Sequence, residues 1–465
     1  MKLKDDSRVA VVGGGPAGAM AGFFLLELAD RIGLSIHVDI YESRTFSKVG
    51  PVGCNMCAGV VSESLVQTLA AEGINLPPLV VQRGIQSYVL HTTDLDPVEI
   101  ETPADDLRIA TVYRGGGPRN PTGDLPWASF DNFLLTMAQK KGANVIHKRV
   151  SEIALKDGFP VVSCRRAEPE TYDLLIGAVG VNSPTLRKFE DLGFDFKQPD
   201  WARGFISEIY LGSDQTQKYL GSAMHIFLLD IPGLKFAALI PKVEYVTVVL
   251  LGEDINRDIV DQFMSASEVI SCFPPDFEWA FGGHVCTVEG AIPIGDACRC
   301  NPKLNMGPAE KPFTDRVVLI GDSAISRLYK DGIGAAYITA KSCAVASVFL
   351  GVSARDYEKY YWPVVNQIDR DNKVGKLIFF ITNFYQKLRF LRYGMIHMVL
   401  NEEGLAAEKR AMSRVLWDTF TGSATYKEIF IRAIHPMFLW RLAVATFSAL
   451  PGIVMKRFRP GKSTQ

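Results

Sequence analysis

The chain has 465 residues, 48% of them apolar, with 50 Lys+Arg against 51 Asp+Glu and a formal net charge of −1. That is enough chain to bury a large core, divided over about two or three domains. The balanced charge supplies no global basic field, so nucleic acid is excluded as the expected partner.

The first element is the run Val9-Ala10-Val11-Val12, which leads straight into Gly13-Gly14-Gly15-Pro16-Ala17-Gly18 and a long apolar segment, Ala19 to Ala29. Strand, tight turn and helix are readable in one line. Gly13, Gly15 and Gly18 match the G-x-G-x-x-G dinucleotide fingerprint: the first permits the turn, the second lets a pyrophosphate approach the backbone, and the third lets helix and strand pack closely. The helix start, with Pro16 and Ala17, offers N–H groups and a positive dipole end to phosphate. A second strand, Ser35 to Tyr41, ends at Glu42, where an acid can take ribose hydroxyls.

A polar loop and the segment Gly53-Cys54-Asn55-Met56-Cys57-Ala58-Gly59 follow, then a helical stretch over Ser62 to Glu72. Short β-like runs occupy Leu79 to Ile109. Phe130 to Ala138 has apolar residues at helical spacing and leads to a strand at Asn144 to His147, with Val150 just beyond it. Asp173 to Gly180 is a buried-strand pattern. Four more strands are expected at Phe205 to Leu211, His225 to Leu229, Phe236 to Ile240 and Tyr245 to Leu251, with a turn at Pro232-Gly233. Arg316 to Ile320 is another buried strand and ends on Gly321-Asp322. Gly332-Ile333-Gly334 then opens a helix reaching about Leu350. Asp322 is placed to accept hydrogen bonds from a ribitol chain, and the second helix start to face the same pyrophosphate.

These motifs occur in an order that resembles the glutathione-reductase-type FAD oxidoreductases, from Gly13/Gly15/Gly18 and Glu42 through Phe130-Asp131 and Ile176-Gly177-Ala178 to Gly321-Asp322 and Gly332-x-Gly334. Within them the chain looks most like the geranylgeranyl reductase branch, whose fold is that of the aromatic hydroxylases. Cys57-Ala58-Gly59-Val60-Val61-Ser62 is similar to that branch's cysteine- and glycine-containing segment beside the flavin ring. Ile240-Pro241-Lys242 is similar to the end of its aromatic-rich strand. The resemblance spans roughly residues 8 to 350. It implies an α/β fold: a Rossmann-type FAD-binding domain (1–65, 105–185 and 285–350), an inserted, mainly antiparallel β-sheet substrate domain (66–104 and 186–284), and a C-terminal helical region (351–465). It implies FAD as cofactor. The cofactor set is Gly13, Gly15, Pro16, Ala17, Gly18, Glu42, Cys57, Ala58, Gly59, Val150, Gly321, Asp322, Gly332, Ile333 and Gly334, with Cys57 also as the catalytic candidate.

The chain departs from the branch pattern at several places. Ala238 stands where a Trp is usual, which implies a roomier, less aromatic substrate wall. Val179-Gly180 replaces an Asp-Gly pair, Trp127 an Arg, Tyr329 a Pro and Ile333 a Glu. No second G-x-G-x-x-G lies between a strand and a helix. NAD(P)H therefore visits transiently, or another electron donor is used. The implied activity is reduction of a carbon–carbon double bond in a hydrophobic, isoprenoid or lipid substrate. The rivals are a flavin monooxygenase on the same fold and a membrane-docked flavoprotein carrying electrons to a quinone or partner protein.

Lys242 is expected to be a solvated lysine rather than a site residue, and His225 and His284 to be structural rather than catalytic. Cys54-x-x-Cys57 and Cys298-x-Cys300 leave three readings open: a metal or iron–sulfur centre, a redox pair, or incidental thiols. The charged start, Met1 to Arg8, has no apolar h-region, and the eight cysteines are scattered, so a reducing, cytoplasmic setting is expected. Met437 to Leu450 is strongly apolar around Arg441 and is followed by Lys456, Arg457 and Arg459. Phe379-Phe380-Ile381, Phe384-Tyr385 and Phe390-Leu391 interleave with Lys387, Arg389 and Arg392. The mixture suits helices lying in a membrane interface, on the inner face of the membrane; packing on the FAD domain and a true span are the alternatives.

Overall fold

The computed structural model describes residues 1–49, 53–102, 109–118, 128–279 and 297–457; Trp127, His284 and Arg459 lie outside them. Ser7–Val12, Ile36–Tyr41, Asn144–Ile146, Leu174–Gly177 and Val317–Leu319 form a parallel sheet, with Phe313–Thr314 added antiparallel at one edge. Ser7–Val12 lies at its centre, between Leu174–Gly177 and Ile36–Tyr41. Its Val9, Ala10 and Val11 are fully buried, as an apolar run covered on both faces requires.

The helix Pro16–Arg31 begins with proline in its first turn and packs against the helices Phe130–Lys140 and Gly332–Val345. Close approach depends on missing side chains. A Cβ on Gly18 would stand 1.8 Å from the Gly13 carbonyl oxygen, and one on Gly13, at φ +104°, 2.4 Å from the Ala178 oxygen. The fingerprint glycines at both positions are therefore packing and turn requirements, as the motif predicts.

A seven-stranded sheet stands beside this domain, in the order Ala297–Cys300, Phe205–Tyr210, Tyr245–Gly252, Leu234–Pro241, Ala223–Leu228, Ser87–Thr92 and Val98–Glu101. Its pairings are antiparallel except for Ala223–Leu228 beside Ser87–Thr92. Alternation sorts its residues. Met224, Ile226, Phe236, Ala238 and Ile240 face one core; Phe227, Ala237, Leu239, Val246 and Val248 face another.

The C-terminal region is helical, including Trp362–Lys387, Arg389–Leu400, Ala411–Thr421, Tyr426–Ala433 and Pro436–Arg457. Its inner side packs on the sheet. Phe379 stacks on Phe236 with ring centres 5.9 Å apart, and Trp417 meets Tyr88 at 4.7 Å and donates to Glu63 at 3.2 Å. Its outer side exposes Phe380, Phe384, Phe390, Met437, Leu439, Trp440 and Phe447. Phe438, inside the run read as interfacial, is buried. Among the described residues one helix, Gly332–Leu350, is long and apolar enough to cross a membrane, and most of it is buried inside the protein. Tyr426–Ala433 and Pro436–Ser448 meet that length and apolarity only as a pair, bent by 62°.

Candidate functional site

At the carboxyl ends of the parallel strands, between the two sheets, lies a cavity of about 520 Å³. Gly13, Gly15, Pro16, Ala17, Glu42, Cys57, Ala58, Val150, Asp322, Gly332 and Ile333 of the expected cofactor set line it. Gly18, Gly59, Gly321 and Gly334 do not; they support the lining from behind. A Cβ on Gly59 would meet the Val112 oxygen at 1.9 Å, and one on Gly321 the Ala17 Cβ at 2.7 Å.

Gly15 is different. A Cβ there would meet only Asn55 Nδ2, at 3.4 Å, so the space in front of it is open and faces the cavity. Gly15 caps the helix, and no side chain caps it instead. An uncapped helix start behind an open glycine is the cradle that a dinucleotide pyrophosphate needs. Glu42 stands alongside: its carboxylate accepts from Gly14 N and Arg44 N, both at 2.8 Å, which fixes it at the cavity rim. These residues fit an FAD, and Asp322 lines the same cavity.

The second helix start corrects the sequence reading. Asp331, in the left-handed region at φ +48°, caps this helix and accepts from Gly334 N at 3.1 Å. A carboxylate already answers that N–H, and Arg327 pairs with it at 2.7 Å. Gly334 is thus a capping position, and the helix presents Gly332 and Ile333 to the cavity instead. Burial pushes the Asp322 carboxyl up; its hydrogen bond to Ser326 and the Arg114 charge pull the other way.

Sequence reasoning missed the cavity's cationic and amide side chains. Arg114 donates to both Asp131 oxygens at 3.0 Å, and Asp131 is fully buried. Burial alone would lower the Arg114 pKa; the charges of Asp131, Cys57 and Asp322 and the hydrogen bond raise it. Asn55 donates to Asp131 at 3.3 Å and accepts from Arg44 at 3.0 Å. One network therefore joins the Cys57 loop to the Phe130 helix. Phe130-Asp131 was legible as a motif, but its partner Arg114 lies beyond local pattern.

The other wall belongs to the seven-stranded sheet. Ile206, Met224, Ile226, Phe236, Ala238, Ile240, Val249 and Leu251 line the cavity, all apolar, with Phe420 and Tyr329 beside them. Ala238 does stand on this wall, where a larger residue would project into the cavity.

Lys242 is not solvated. It is buried, pairs with Glu208 at 2.6 Å and lies over the Tyr113 ring at 4.3 Å. It is not a lining residue, and its charge is answered by a carboxylate across the sheet. His225 is buried and points away from the cavity, whose wall carries its neighbours Met224 and Ile226.

The four cysteines do not converge. Among the described residues, the group of three metal-type donors that lie within 4.8 Å of one another is His91, His225 and Cys272. A centre built on Cys54, Cys57, Cys298 and Cys300 is therefore not formed. Cys57 lines the cavity, whereas Cys54 and Cys300 face each other. The Cys300 hydrogen bond brings the Cys54 thiol down against the opposing effect of burial, while that bond and burial push Cys300 up. The expected result is that Cys54 becomes alkylated at a lower pH than an ordinary thiol does. Peptide mapping after short iodoacetamide pulses at stepped pH checks this, and Cys300→Ala should shift the profile upward.

No family model matches the chain. In sequence it is similar to a geranylgeranyl diphosphate reductase of Synechocystis sp., 26% identical over 352 residues, covering 72% of this chain and 74% of that one. In fold it resembles a geranylgeranyl bacteriochlorophyll reductase-like protein of Thermoplasma acidophilum, with TM-score 0.62, 14% identity and coverage of 95% of this chain and 100% of that one. A flavoprotein/dehydrogenase of Cytophaga hutchinsonii follows at TM-score 0.60, 15% identity and 96% and 100% coverage. A halogenase PltM variant in complex with FAD gives TM-score 0.58, 13% identity and 98% and 93% coverage.

Proposed function

We propose that this chain, a geranylgeranyl-reductase-like FAD-dependent oxidoreductase, reduces carbon–carbon double bonds of a hydrophobic, isoprenoid-type substrate. The observation that carries the reading is the apolar wall: eight side chains from four adjacent strands face the cavity without a polar group among them. Such a wall selects an aliphatic chain by excluding water and offers no handle to a polar substrate. Bound FAD, once reduced, supplies the hydride. The protein's part is to hold the cofactor at Gly15, Glu42 and Asp322, and to keep the substrate dry against Ala238 and Ile240. Cys57, on the same cavity, is positioned to touch cofactor or substrate.

A flavin monooxygenase is the second reading, favoured by the likeness in fold to a pyridine-carboxylic acid oxygenase, TM-score 0.53. Stopped-flow reoxidation separates the two. A reductase reoxidises faster when a polyprenyl lipid is added without oxygen; an oxygenase reoxidises with oxygen, and its substrate speeds coupled hydroxylation. A carrier reoxidises with quinone alone. The electron donor is NAD(P)H or a partner protein, and titration of oxidised enzyme with each identifies it.

The same reading includes docking on a lipid surface. Exposed Phe380, Phe384, Phe390, Trp440 and Phe447 share the C-terminal helices with Lys376, Lys387 and Arg441, an arrangement suited to acyl chains below and anionic headgroups above. The expected result is that wild type floats with anionic liposomes, and that Trp440→Ser with Phe447→Ser lowers the floating fraction several-fold while FAD stays bound. Phe438 is left alone because it is core. A wild type that never floats ends the docking claim.

A further inference from the structure

Behind the cavity, on the other face of the seven-stranded sheet, lies a cluster that neither the cofactor nor the substrate reading uses. His91 from Ser87–Thr92, His225 from Ala223–Leu228 and Cys272, just after the short helix Ser267–Ile270, meet in a buried pocket. His91 Nε2 and His225 Nδ1 are 2.9 Å apart. Cys272 Sγ lies 3.4 Å from His225 Nδ1 and 3.8 Å from His91 Nε2. All three residues are at most 8% exposed.

We propose that His91, His225 and Cys272 form a structural Zn²⁺ site that ties the Ser267–Ile270 segment to the back of the substrate sheet.

Three features support it. The first is the spacing. Zinc bonds of about 2.0–2.1 Å to nitrogen and about 2.3 Å to sulfur in a tetrahedron put the ligand atoms about 3.4–3.6 Å apart. The three separations lie within about 0.5 Å of that range, so side-chain adjustment without backbone rearrangement is enough to admit an ion. The second is orientation. Both contacts of His225 to the cluster are made by one ring nitrogen, Nδ1, which therefore faces His91 and Cys272. The third is the packing around it. His91 stacks on Phe227 at 4.4 Å, and Phe263 meets Phe227 edge-on at 5.2 Å, so the imidazole is held in place by packed rings.

The donor set is two imidazoles and one thiol, which suits zinc rather than magnesium or calcium. Binding is not a redox step. The Cys272 S–H bond breaks, its proton leaves to solvent, and a sulfur–zinc bond forms as both imidazoles donate lone pairs. The Glu268 carbonyl oxygen lies 3.5 Å from Sγ, and it or a water supplies the fourth, oxygen ligand. The residues come from three places far apart in sequence. An ion joining them therefore closes two long loops and stiffens the strands whose opposite faces hold Met224 and Ile226 against the cavity.

The test is metal content of the full chain purified from zinc-supplemented culture without chelator. One zinc per chain is expected, retained through gel filtration, with a melting temperature that falls on exhaustive chelation and returns with ZnCl₂. Cobalt in place of zinc should give a thiolate charge-transfer band in the near ultraviolet. Cys272→Ser should remove that band and most of the zinc, while Cys54→Ser with Cys300→Ser should remove neither. Should Cys272→Ser fail to fold, the cobalt band and zinc stoichiometry of wild type decide alone. Less than a tenth of a zinc per chain after incubation with ZnCl₂, or full zinc content retained by folded Cys272→Ser, overturns the site and leaves a hydrogen-bonded histidine pair.

Discussion

Gly15→Val should yield a folded, colourless protein. The residue's backbone is extended, with φ −65° and ψ −174°, which valine adopts without strain. The space in front of it is empty of protein save for Asn55 Nδ2. Its methyl groups therefore project into the cavity where a pyrophosphate must meet the helix start. We expect FAD affinity to fall on the order of 10²-fold or more, about 3 kcal/mol or greater, while the melting temperature of cofactor-free protein stays near wild type. Gly13→Ala is the contrasting control: it sets a Cβ 2.4 Å from a backbone oxygen at φ +104°, so it should lower stability as well as colour. Isothermal titration with FAD and thermal denaturation of cofactor-free protein separate the two outcomes. Gly15→Val that binds FAD normally would remove the phosphate cradle from the account.

The second large effect is expected at Ala238. This residue faces the cavity between Phe236 and Ile240 on the same strand, opposite Val249 on the next. Ala238→Trp puts an indole into space the substrate chain is expected to fill. It should lower kcat/KM for a polyprenyl lipid on the order of 10²-fold and leave FAD content unchanged, since the cradle lies on the other side of the cavity. Ala237→Trp, one residue away on the opposite face, should instead destabilise the fold, because Ala237 is fully buried in the core behind the sheet. A wild-type kcat/KM in Ala238→Trp would show that the substrate does not use this wall.

What could be read from the sequence follows the range of the interactions. The Gly13–Gly18 turn, Glu42 at the end of the second strand and the strands from 205 to 251 are written in local pattern, and the structure forms them within one or two residues of the expected limits. Lys242 was misjudged because its partner, Glu208, sits on another strand, and a lysine next to a proline carries no local sign of burial. Arg114 escaped for the same reason: the carboxylate that holds it is 17 residues away on a helix. Asp331 hid in a loop whose glycines suggested an open phosphate site, yet its left-handed backbone brings its own carboxylate to the helix start. In the tail, Met437 to Leu450 carries apolar residues on all sides of the helix with a single charge at Arg441, so periodicity cannot tell the inner Phe438 from the outer Trp440 and Phe447. The cysteines show the limit most plainly. Spacing singles out Cys54-x-x-Cys57 and Cys298-x-Cys300 without saying which sulfurs meet; the fold sets Cys54 against Cys300 and sends Cys272, which no motif marks, to two histidines.

The central claim is that this cavity reduces an alkene. It is tested most directly by the mass of the product formed under strict anaerobiosis, when photoreduced enzyme is mixed with a polyprenyl lipid in detergent and the lipid is extracted. The account predicts product heavier by two hydrogens per flavin oxidised, with deuterium from solvent water appearing in it. Flavin that stays reduced until oxygen or a quinone is admitted, with every double bond of the lipid intact, would contradict it.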